Sequence, residues 1–166
     1  GGSVACGGYT PKFAYVANKG PFPPVSPGDV SAYTIDAVTG ALTQIPCTGG
    51  VLVCNGNNYV AGANPRSVTV DPSGKYAYVT NQFSADVSAY TIDATTGALT
   101  AMAGSPFAAG SQPNSVSIDP SGKFAYVANL AADNVSAYTI DATTGAFTPI
   151  LCGGGPGCSI VNGNNF

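Results

Sequence analysis

Short runs of alternating apolar and polar residues follow one another along most of this chain, separated by turn-forming residues. Residues 67–71, 76–80, 87–93 and 98–102 each have the period-two pattern and the β-forming composition of a half-buried strand. The Asp-Pro-Ser-Gly sequence at 71–74 is typical of a type I turn between the first two runs. The pattern therefore predicts four antiparallel strands in this stretch and no helix.

The four predicted strands belong to a repeat. Residues 67–81 return 48 positions later, at 115–129, with nearly the same side chains, and a looser copy lies between residues 13 and 43. A long fixed period indicates stacked supersecondary units, and four antiparallel strands in about 48 residues match one propeller blade. We predict an all-β fold of β-propeller-type blades of four antiparallel strands, with three blades per chain and no helix.

The repeat divides a single domain that covers residues 1–166. The first copy is longer because its loops carry insertions, which leave a blade intact. The predicted boundaries are about 1–46 for blade 1, 47–63 for a disulfide-bearing linker, about 64–107 for blade 2, about 108–151 for blade 3 and 152–166 for a C-terminal tail.

Composition narrows the functional classes. Charged residues make up 8% of the chain and the net charge is −3, which disfavours a nucleic-acid-binding surface. No apolar run approaches the roughly 20 residues of a membrane-spanning helix. The chain has no His and no Glu, so it lacks the commonest general base and the commonest metal ligand. We therefore predict no catalytic residue, no cofactor, no metal site and no enzymatic activity.

The five cysteines indicate the cellular compartment in which the protein folds. Cys47 and Cys54 bracket one glycine-containing loop, and Cys152 and Cys158 bracket another at the same place in the pattern. Matching local pairs in a chain without His favour disulfides over zinc, whose knuckles have two-residue spacings. Two disulfides would favour a secreted, extracellular or cell-surface location. Cys6 is left over, either as a buried inert thiol or as a thiol that bonds to another subunit.

The sequences Asp-Pro-Ser-Gly-Lys at 71–75 and Tyr-Val-Thr-Asn at 78–81, with the strand at 87–93, resemble the YVTN-type β-propeller repeat of prokaryotic surface proteins. They are also similar to repeats of the lactonase-like seven-bladed propellers related to 6-phosphogluconolactonase. The resemblance implies the propeller fold, and a lactonase would imply a polar site with acid/base side chains in the central channel. Because His and Glu are absent and Arg66 is the only Arg, no catalytic residue is carried over.

Three sets of residues recur in the blades, and two of these sets have two interpretations each. Asp at the end of the third strand caps the following turn, or lines a site such as a calcium loop. Asn at the end of the second strand bonds backbone where the strand stops. Tyr at fixed strand positions packs between blades, or forms a sugar-binding shelf. The sets are Asp36, Asp93 and Asp141; Asn18, Asn81 and Asn129; and Tyr15, Tyr33, Tyr78, Tyr90, Tyr126 and Tyr138.

The two ends of the chain predict how it associates. Three blades cannot close into a ring, so the end blades would expose apolar faces and strand edges. Residues 162–166 resemble residues 55–59, which lead into the next blade, and residues 2–5 resemble the start of a blade. A head-to-tail contact between chains would give a ring or a helical filament. The predicted assembly ends are Ser3, Val4, Asn162, Asn164 and Phe166.

The sequence thus predicts a structural, self-assembling extracellular or cell-surface protein whose partners are copies of itself in a filament or closed ring. Two alternatives stay open. One is a glycan- or protein-binding propeller module, and the other is a fragment of a lactonase-like propeller enzyme. Neither a nucleic-acid partner nor a membrane span is expected.

Overall fold

The computed structural model describes residues 12–20, 27–48 and 54–150 of the chain. Over these ranges the chain forms β-strands and no helix, and so contains no apolar helix that could cross a membrane. The strands are β1 (Phe13–Asn18), β2 (Pro27–Ile35), β3 (Leu42–Ile45), β4 (Cys54–Asn55), β5 (Asn58–Ala63), β6 (Pro65–Val70), β7 (Tyr76–Asn81), β8 (Asp86–Ile92), β9 (Leu99–Ala101), β10 (Phe107–Ala108), β11 (Pro113–Ile118), β12 (Phe124–Asn129), β13 (Asn134–Ile140) and β14 (Phe147–Pro149).

The strands form three antiparallel sheets that follow one another along the chain, here called blades 1, 2 and 3. Blade 2 has the order β6-β7-β8, with β9 and β10 on the outer edge of β8, and blade 3 has the order β11-β12-β13-β14. Blade 1 has β1 beside β2, with β3 and β5 on the outer edge of β2 and β4 beyond β5. The predicted all-β fold with three propeller-type blades is confirmed.

The first strands of blades 2 and 3 lie next to each other. The hydroxyl of Thr69 on β6 donates to the carbonyl of Val116 on β11 at 2.7 Å. This contact places β6 and β11 at the inner end of their blades, where the first strands of a propeller surround the axis. The third and fourth strands lie progressively farther out.

The outer strand is divided into two segments in blades 1 and 2. In blade 2, β9 pairs with the C-terminal half of β8, and Phe107 of β10 pairs with Val87 at the other end. In blade 1, β3 pairs with the C-terminal half of β2, and Tyr59 of β5 pairs with Val30. Residues 54–63, part of the predicted linker, therefore supply two strands of blade 1.

A disulfide joins the ends of the loop that follows β3. The Sγ atoms of Cys47 and Cys54 are 2.00 Å apart, and the Cα atoms are 5.7 Å apart. Cys54 begins β4 and pairs with Tyr59 across the β4–β5 hairpin. The bond thus ties the hairpin to the chain that leaves β3.

Two apolar clusters fill the spaces between adjacent blades. The cluster between blades 1 and 2 includes Val30, Val79 and Tyr90, and the cluster between blades 2 and 3 includes Tyr78 and Phe147. Tyr78 is fully buried, and its ring stacks on that of Phe147 with centroids 4.4 Å apart. A large apolar side chain stabilises by about 1.5–3 kcal/mol when fully buried. The contacts between blades therefore form the core.

Within the described residues, only blade 2 is covered on both faces. Tyr78 and Val87 are fully buried against blade 3, whereas their equivalents in blade 3, Tyr126 and Val135, are each 44% exposed. Val16 on the opposite face of blade 1 is exposed to a similar degree. The outward faces of blades 1 and 3 thus expose side chains whose equivalents in blade 2 are buried.

Candidate functional site

The two edges of every blade carry different residues. Because neighbouring strands are antiparallel, the turns after the first and third strands lie at one edge. The turns after the second strand and the connections into the first strand lie at the opposite edge. The first edge, called the Asp-turn edge, comprises residues 36–40, 71–74, 93–97, 119–122 and 141–145. The second edge, called the amide rim, comprises residues 62–66, 80–86, 110–114 and 128–134.

The carboxylates of the Asp-turn edge are held by their own turns. Oδ1 of Asp93 accepts the backbone N–H of Thr96 at 2.7 Å and of Thr95 at 2.9 Å, and the Thr96 hydroxyl at 2.9 Å. Asp36 and Asp141 accept the same bonds. The backbone N–H of the turn threonine, followed by its hydroxyl, lowers the pKa of all three carboxyls. These residues therefore cap turns, which is the first of their two predicted roles.

No cluster of potential metal ligands was found in the described ranges. Among residues 12–20, 27–48 and 54–150, no group of three His, Cys, Asp or Glu side chains is placed to hold an ion. The recurring Asp residues stand on separate turns, so each carboxylate lies apart from the others. The calcium alternative therefore has no support from this part of the chain.

Three side-chain amides form a chain across the amide rim. Nδ2 of Asn64 donates to Oε1 of Gln82 at 2.5 Å, and Nε2 of Gln82 lies 3.5 Å from Oε1 of Gln112. Asn64 and Gln112 have φ values of 57° and 54°. A left-handed backbone is uncommon for residues other than glycine, and such strain concentrates at functional sites. Both residues stand immediately before an inner strand, so the strain lies close to the propeller axis.

A β-bulge interrupts each inner strand at the rim. The pairing of β6 with β7 shifts by one residue at Arg66, and the pairing of β11 with β12 shifts by one residue at Asn114. Bulges re-aim side chains and are frequent next to active sites. Arg66 and Asn114 are exposed polar side chains of the rim.

Four buried polar atoms of the described residues have no hydrogen-bond partner, and all four lie at the rim. They are Oδ1 of Asn64, Oγ1 of Thr80, Oδ1 of Asn81 and Oδ1 of Asn129. A buried polar atom without a partner costs about 1–3 kcal/mol. The fold thus leaves these buried polar atoms unsatisfied at one edge of the blades.

The amides of Asn81 and Asn129 are oriented by neighbouring side chains. Nδ2 of Asn81 donates to Asp86 at 2.6 Å and to Ser88 at 2.8 Å, and Asn129 makes the equivalent bonds in blade 3. The predicted role of these residues in bonding backbone is therefore wrong. Burial raises the pKa of Asp86. Asp86 begins β8, which lies two strands, or about 10 Å, from the strand of Arg66.

The tyrosine hydroxyls bond backbone across the blade interfaces. Tyr15 and Tyr78 donate to glycine carbonyls of the next blade at 2.9 and 2.7 Å. Tyr90 and Tyr138 donate to carbonyls of the preceding blade at 2.6 and 2.7 Å, and burial raises the pKa of both to about 12. These four side chains pack between blades and do not form a sugar-binding shelf.

Comparison with known proteins gives the family. The chain matches the family model of the lactonase seven-bladed β-propeller over residues 10–111 and 106–156. It is 30% identical over 82 residues to a 6-phosphogluconolactonase of Formosa agariphila, a match that covers 49% of this chain and 19% of that protein. The matched family model covers most of the chain, so the chain belongs to the lactonase family of seven-bladed β-propellers.

Solved structures agree on the architecture. A proposed 6-phosphogluconolactonase from Bacteroides fragilis has a TM-score of 0.65 and 26% identity, over 84% of this chain and 35% of that one. The periplasmic gluconolactonase of Pseudomonas aeruginosa has a TM-score of 0.63, over 84% of this chain and 36% of that one, and at 17% identity it shows the fold alone. The chain thus spans about a third of the length of these structures.

These relatives correct two predictions. The prediction of a structural, self-assembling cell-surface protein in a filament or fibril is wrong, because the named relatives are lactonases. The prediction that the chain is not an enzyme is contradicted by the same finding. Both predictions gave too much weight to the absence of His and Glu. Blades that make up a third of a propeller need not carry every acid/base side chain of their family.

The amide rim was not predicted from the sequence, although one signal marks it. Arg66 and Asn114 each follow a proline at equivalent positions of the repeat, and each precedes Ser-Val in a strand. A polar residue that differs between copies at an otherwise constant place marks a position that packing does not dictate. Some predicted site residues lie outside the described residues: Ser3, Val4, Cys6, Cys152, Cys158, Asn162, Asn164 and Phe166.

Proposed function

We propose that this chain is a ligand-binding part of a lactonase-type propeller, and that its amide rim holds a sugar lactone or the sugar acid formed from it. The observation that carries the proposal is that the four partnerless buried polar atoms of the described ranges all lie at the edge where Arg66 is exposed. The bulged Arg66 and the left-handed Asn64 and Gln112 at the same edge support it. Membership of the lactonase family supports a cyclic sugar ester as the substrate class.

The chemistry of lactone hydrolysis suits a rim of cationic and amide donors. Water adds to the ester carbonyl, the bond to the ring oxygen breaks, and that oxygen leaves as a hydroxyl with a proton from water. Negative charge develops on the carbonyl oxygen, and donors aimed at it lower the barrier. The guanidinium of Arg66 stays charged and offers five N–H donors, which suit that oxygen or a phosphate on the sugar. The amides of Gln112 and Asn114 suit sugar hydroxyls.

The experiment is hydrolysis of 6-phosphogluconolactone and of gluconolactone by the 166-residue chain, measured above the uncatalysed rate. Arg66→Gln should lower the rate enhancement by about 10²–10³-fold, the usual effect of removing one donor to a developing oxyanion. Lys75→Gln is the matched control because Lys75 is exposed beside the Asp-turn edge. Its rate should be unchanged.

Binding is measured separately from turnover. In ¹⁵N NMR spectra, 6-phosphogluconate should shift the amide signals of Arg66, Gln112 and Asn114, and gluconate should shift them less if Arg66 holds the phosphate. Shifts without hydrolysis would support the binding role and reject catalysis by these blades alone. Absence of both hydrolysis and shifts at the rim would refute the proposal.

We infer further that the blades are of the YVTN type and that the protein works in an oxidising compartment. The recurrence of Tyr-Val-Thr-Asn at 78–81 as Tyr-Val-Ala-Asn at 126–129 supports the first inference. The bond between Cys47 and Cys54 supports the second. Thiol labelling of the protein from its native source, without reductant, should leave Cys47 and Cys54 unmodified. Labelling of both would contradict the inferred compartment.

A further inference from the structure

The β4–β5 hairpin of blade 1 turns on an Asn-Gly sequence at residues 55 and 56. Cys54 pairs with Tyr59 and Asn55 pairs with Asn58, so residues 56 and 57 form a two-residue turn. Gly56 has a φ of 64°, which suits a residue without a Cβ. Asn55 and Gly56 are both exposed. The turn therefore presents an asparagine side chain that is followed by an unhindered backbone nitrogen.

An Asn-Gly sequence contains both the nucleophile and the electrophile of a covalent modification. The backbone nitrogen of Gly56 attacks Cγ of Asn55, the Cγ–Nδ2 bond breaks, and ammonia leaves with the proton of the attacking N–H. The product is a cyclic succinimide, which water opens to an aspartate or an isoaspartate. The chain and water supply every atom of this reaction, so it requires no enzyme, cofactor or oxidant.

The amide group that this reaction removes also holds the hairpin against β2. Nδ2 of Asn55 donates to Oδ2 of Asp29 at 2.7 Å, and Nδ2 of Asn58 donates to Oδ1 of the same carboxylate at 3.0 Å. Asp29 lies in β2 and is 7% exposed. Hydrogen bonds to a charged acceptor are roughly twice as strong as neutral ones. The leaving group is thus one of two side-chain donors that join the hairpin to a buried carboxylate.

We propose that Asn55-Gly56 is a self-modification site, and that its conversion to aspartate or isoaspartate releases the β4–β5 hairpin from β2. The reaction replaces a donor that lies 2.7 Å from Oδ2 of Asp29 with a carboxylate oxygen. A charge-assisted hydrogen bond is lost, and two negative charges then stand side by side. Isoaspartate also inserts a methylene into the backbone at residue 55, which disturbs the pairing of Asn55 with Asn58.

The remaining contacts of the hairpin determine how far it moves. The hydroxyl of Ser31 donates to Oδ1 of Asn58 at 3.1 Å, and the ring of Tyr59 belongs to the apolar cluster between blades 1 and 2. The disulfide between Cys47 and Cys54 ties the hairpin to the chain that leaves β3. Release therefore means more frequent opening of the pairing between β5 and β2, while the disulfide keeps the hairpin tethered.

The bond to Asp29 also slows the reaction in the folded protein. While Nδ2 of Asn55 is bound to the carboxylate, Cγ is held in one orientation, and the pairing of β4 with β5 restrains the backbone on both sides of the turn. The unfolded chain has neither restraint. Local openings cost less free energy than global unfolding, so they give the folded protein a slow route to the reaction. The fold thus sets the rate at which the site is consumed.

The first test follows the modification by peptide mass spectrometry. The full chain is incubated at mildly alkaline pH, both folded and in urea above its unfolding midpoint. Asn55 should gain the mass of an amide-to-acid exchange in both samples, about tenfold to a hundredfold more slowly in the folded protein. Asn57, which is followed by Asn58, is the reference within the same peptide and should stay unmodified. No gain at Asn55 in the folded protein when the unfolded chain is fully converted, or an equal gain at Asn57, would overturn the proposal.

The second test measures release of the hairpin by hydrogen exchange. In Asn55→Asp the amides of β5 should exchange about tenfold faster than in the parent, while those of β12 in blade 3 are unchanged. Asn57→Asp adds the same charge at an exposed position of the same turn and is the matched control, with unchanged exchange in β5.

The same readout applies to the parent protein after modification. Chains converted at Asn55 are separated by their added negative charge, and their β5 amides should show the faster exchange of Asn55→Asp. Equal exchange in Asn55→Asp and Asn57→Asp would show that the bond to Asp29 does not hold the hairpin. Faster exchange throughout the three blades would replace hairpin release with general destabilisation. Either result would overturn the proposal.

Discussion

An alanine at Gly145 tests whether the contact between blades 2 and 3 is as close as the structure indicates. A Cβ at Gly145 would lie 2.6 Å from Cδ1 and 2.7 Å from Cγ of Tyr76. Tyr76 is 6% exposed, and its hydroxyl donates to the carbonyl of Thr143 at 2.6 Å, so its ring cannot move aside freely. Overpacking of this kind costs about 1–3 kcal/mol.

Gly40 provides a matched control within the same chain. Gly40 and Gly145 occupy the same position of the repeat, with φ values of 72° and 74°, but no atom lies within 4 Å of a Cβ at Gly40. Both alanine variants bear the cost of the left-handed backbone, about 1–2 kcal/mol. Gly145→Ala should therefore be less stable than Gly40→Ala by about 1–3 kcal/mol, the overpacking cost alone.

Urea unfolding followed by far-UV circular dichroism measures the difference. With a slope of about 2 kcal/mol per molar urea, the midpoints of the two variants should differ by about 0.5–1.5 M. Unchanged slopes would confirm that native stability has changed and not the compactness of the unfolded chain. Equal midpoints for Gly145→Ala and Gly40→Ala would refute the reasoning, because backbone strain alone would then account for both.

Three further predictions use the same measurements. Tyr78→Phe should lower the free energy of unfolding by about 1–2 kcal/mol, because it leaves the buried carbonyl of Gly145 without its donor. The control Tyr126→Phe, at the exposed equivalent position in blade 3, should stay within about 0.5 kcal/mol of the parent. Equal effects of the two substitutions would contradict the hydrogen bond between blades 2 and 3. The Ser121 hydroxyl and backbone N–H groups lower the pKa of Asp119 to about 2, so the contribution of this carboxylate to folding stability is present above pH 3.8 and is lost as the pH falls toward 2. Asp119→Ala should therefore be less stable than the parent at pH 7 and equally stable at pH 1.5. A difference in stability that persists at pH 1.5 would argue against a charge effect. Reduction of Cys47–Cys54, which closes a short loop, should cost about 2–3 kcal/mol on loop entropy, and an unchanged midpoint in reductant would show that the hairpin is fixed by other contacts.

The blades could be predicted from the sequence because their signals are local. Strand alternation and the Asp-Pro-Ser-Gly turn need only neighbouring residues, and the second copy repeats both. The divided outer strand could not be predicted in the same way. The two residues of β10 are too few to show alternation, and β5 lies where the insertion made the repeat longer. Their pairing depends on β8 and β2, which are distant in sequence.

The amide rim could not be predicted from the sequence for a different reason. The residue types at Asn64 and Gln112 do not by themselves call for a left-handed backbone, so tertiary packing selects it. The bulges at Arg66 and Asn114 depend on a register shift that neither strand shows alone. The Asp turns were predictable because an Asp followed by Thr and Gly forms its bonds within five residues.

The burial of both faces of blade 2 has a consequence for how the described blades open. Stability in stacked repeats is approximately a sum of repeat terms and nearest-neighbour interface terms. Three consecutive blades have two interfaces between them, so blade 2 takes part in both and each of the other blades takes part in one. Local opening should therefore start at the outer blades, and the amides of β7 should exchange only when both interfaces have been lost. Hydrogen exchange of the β7 amides would then measure how cooperatively the three described blades unfold.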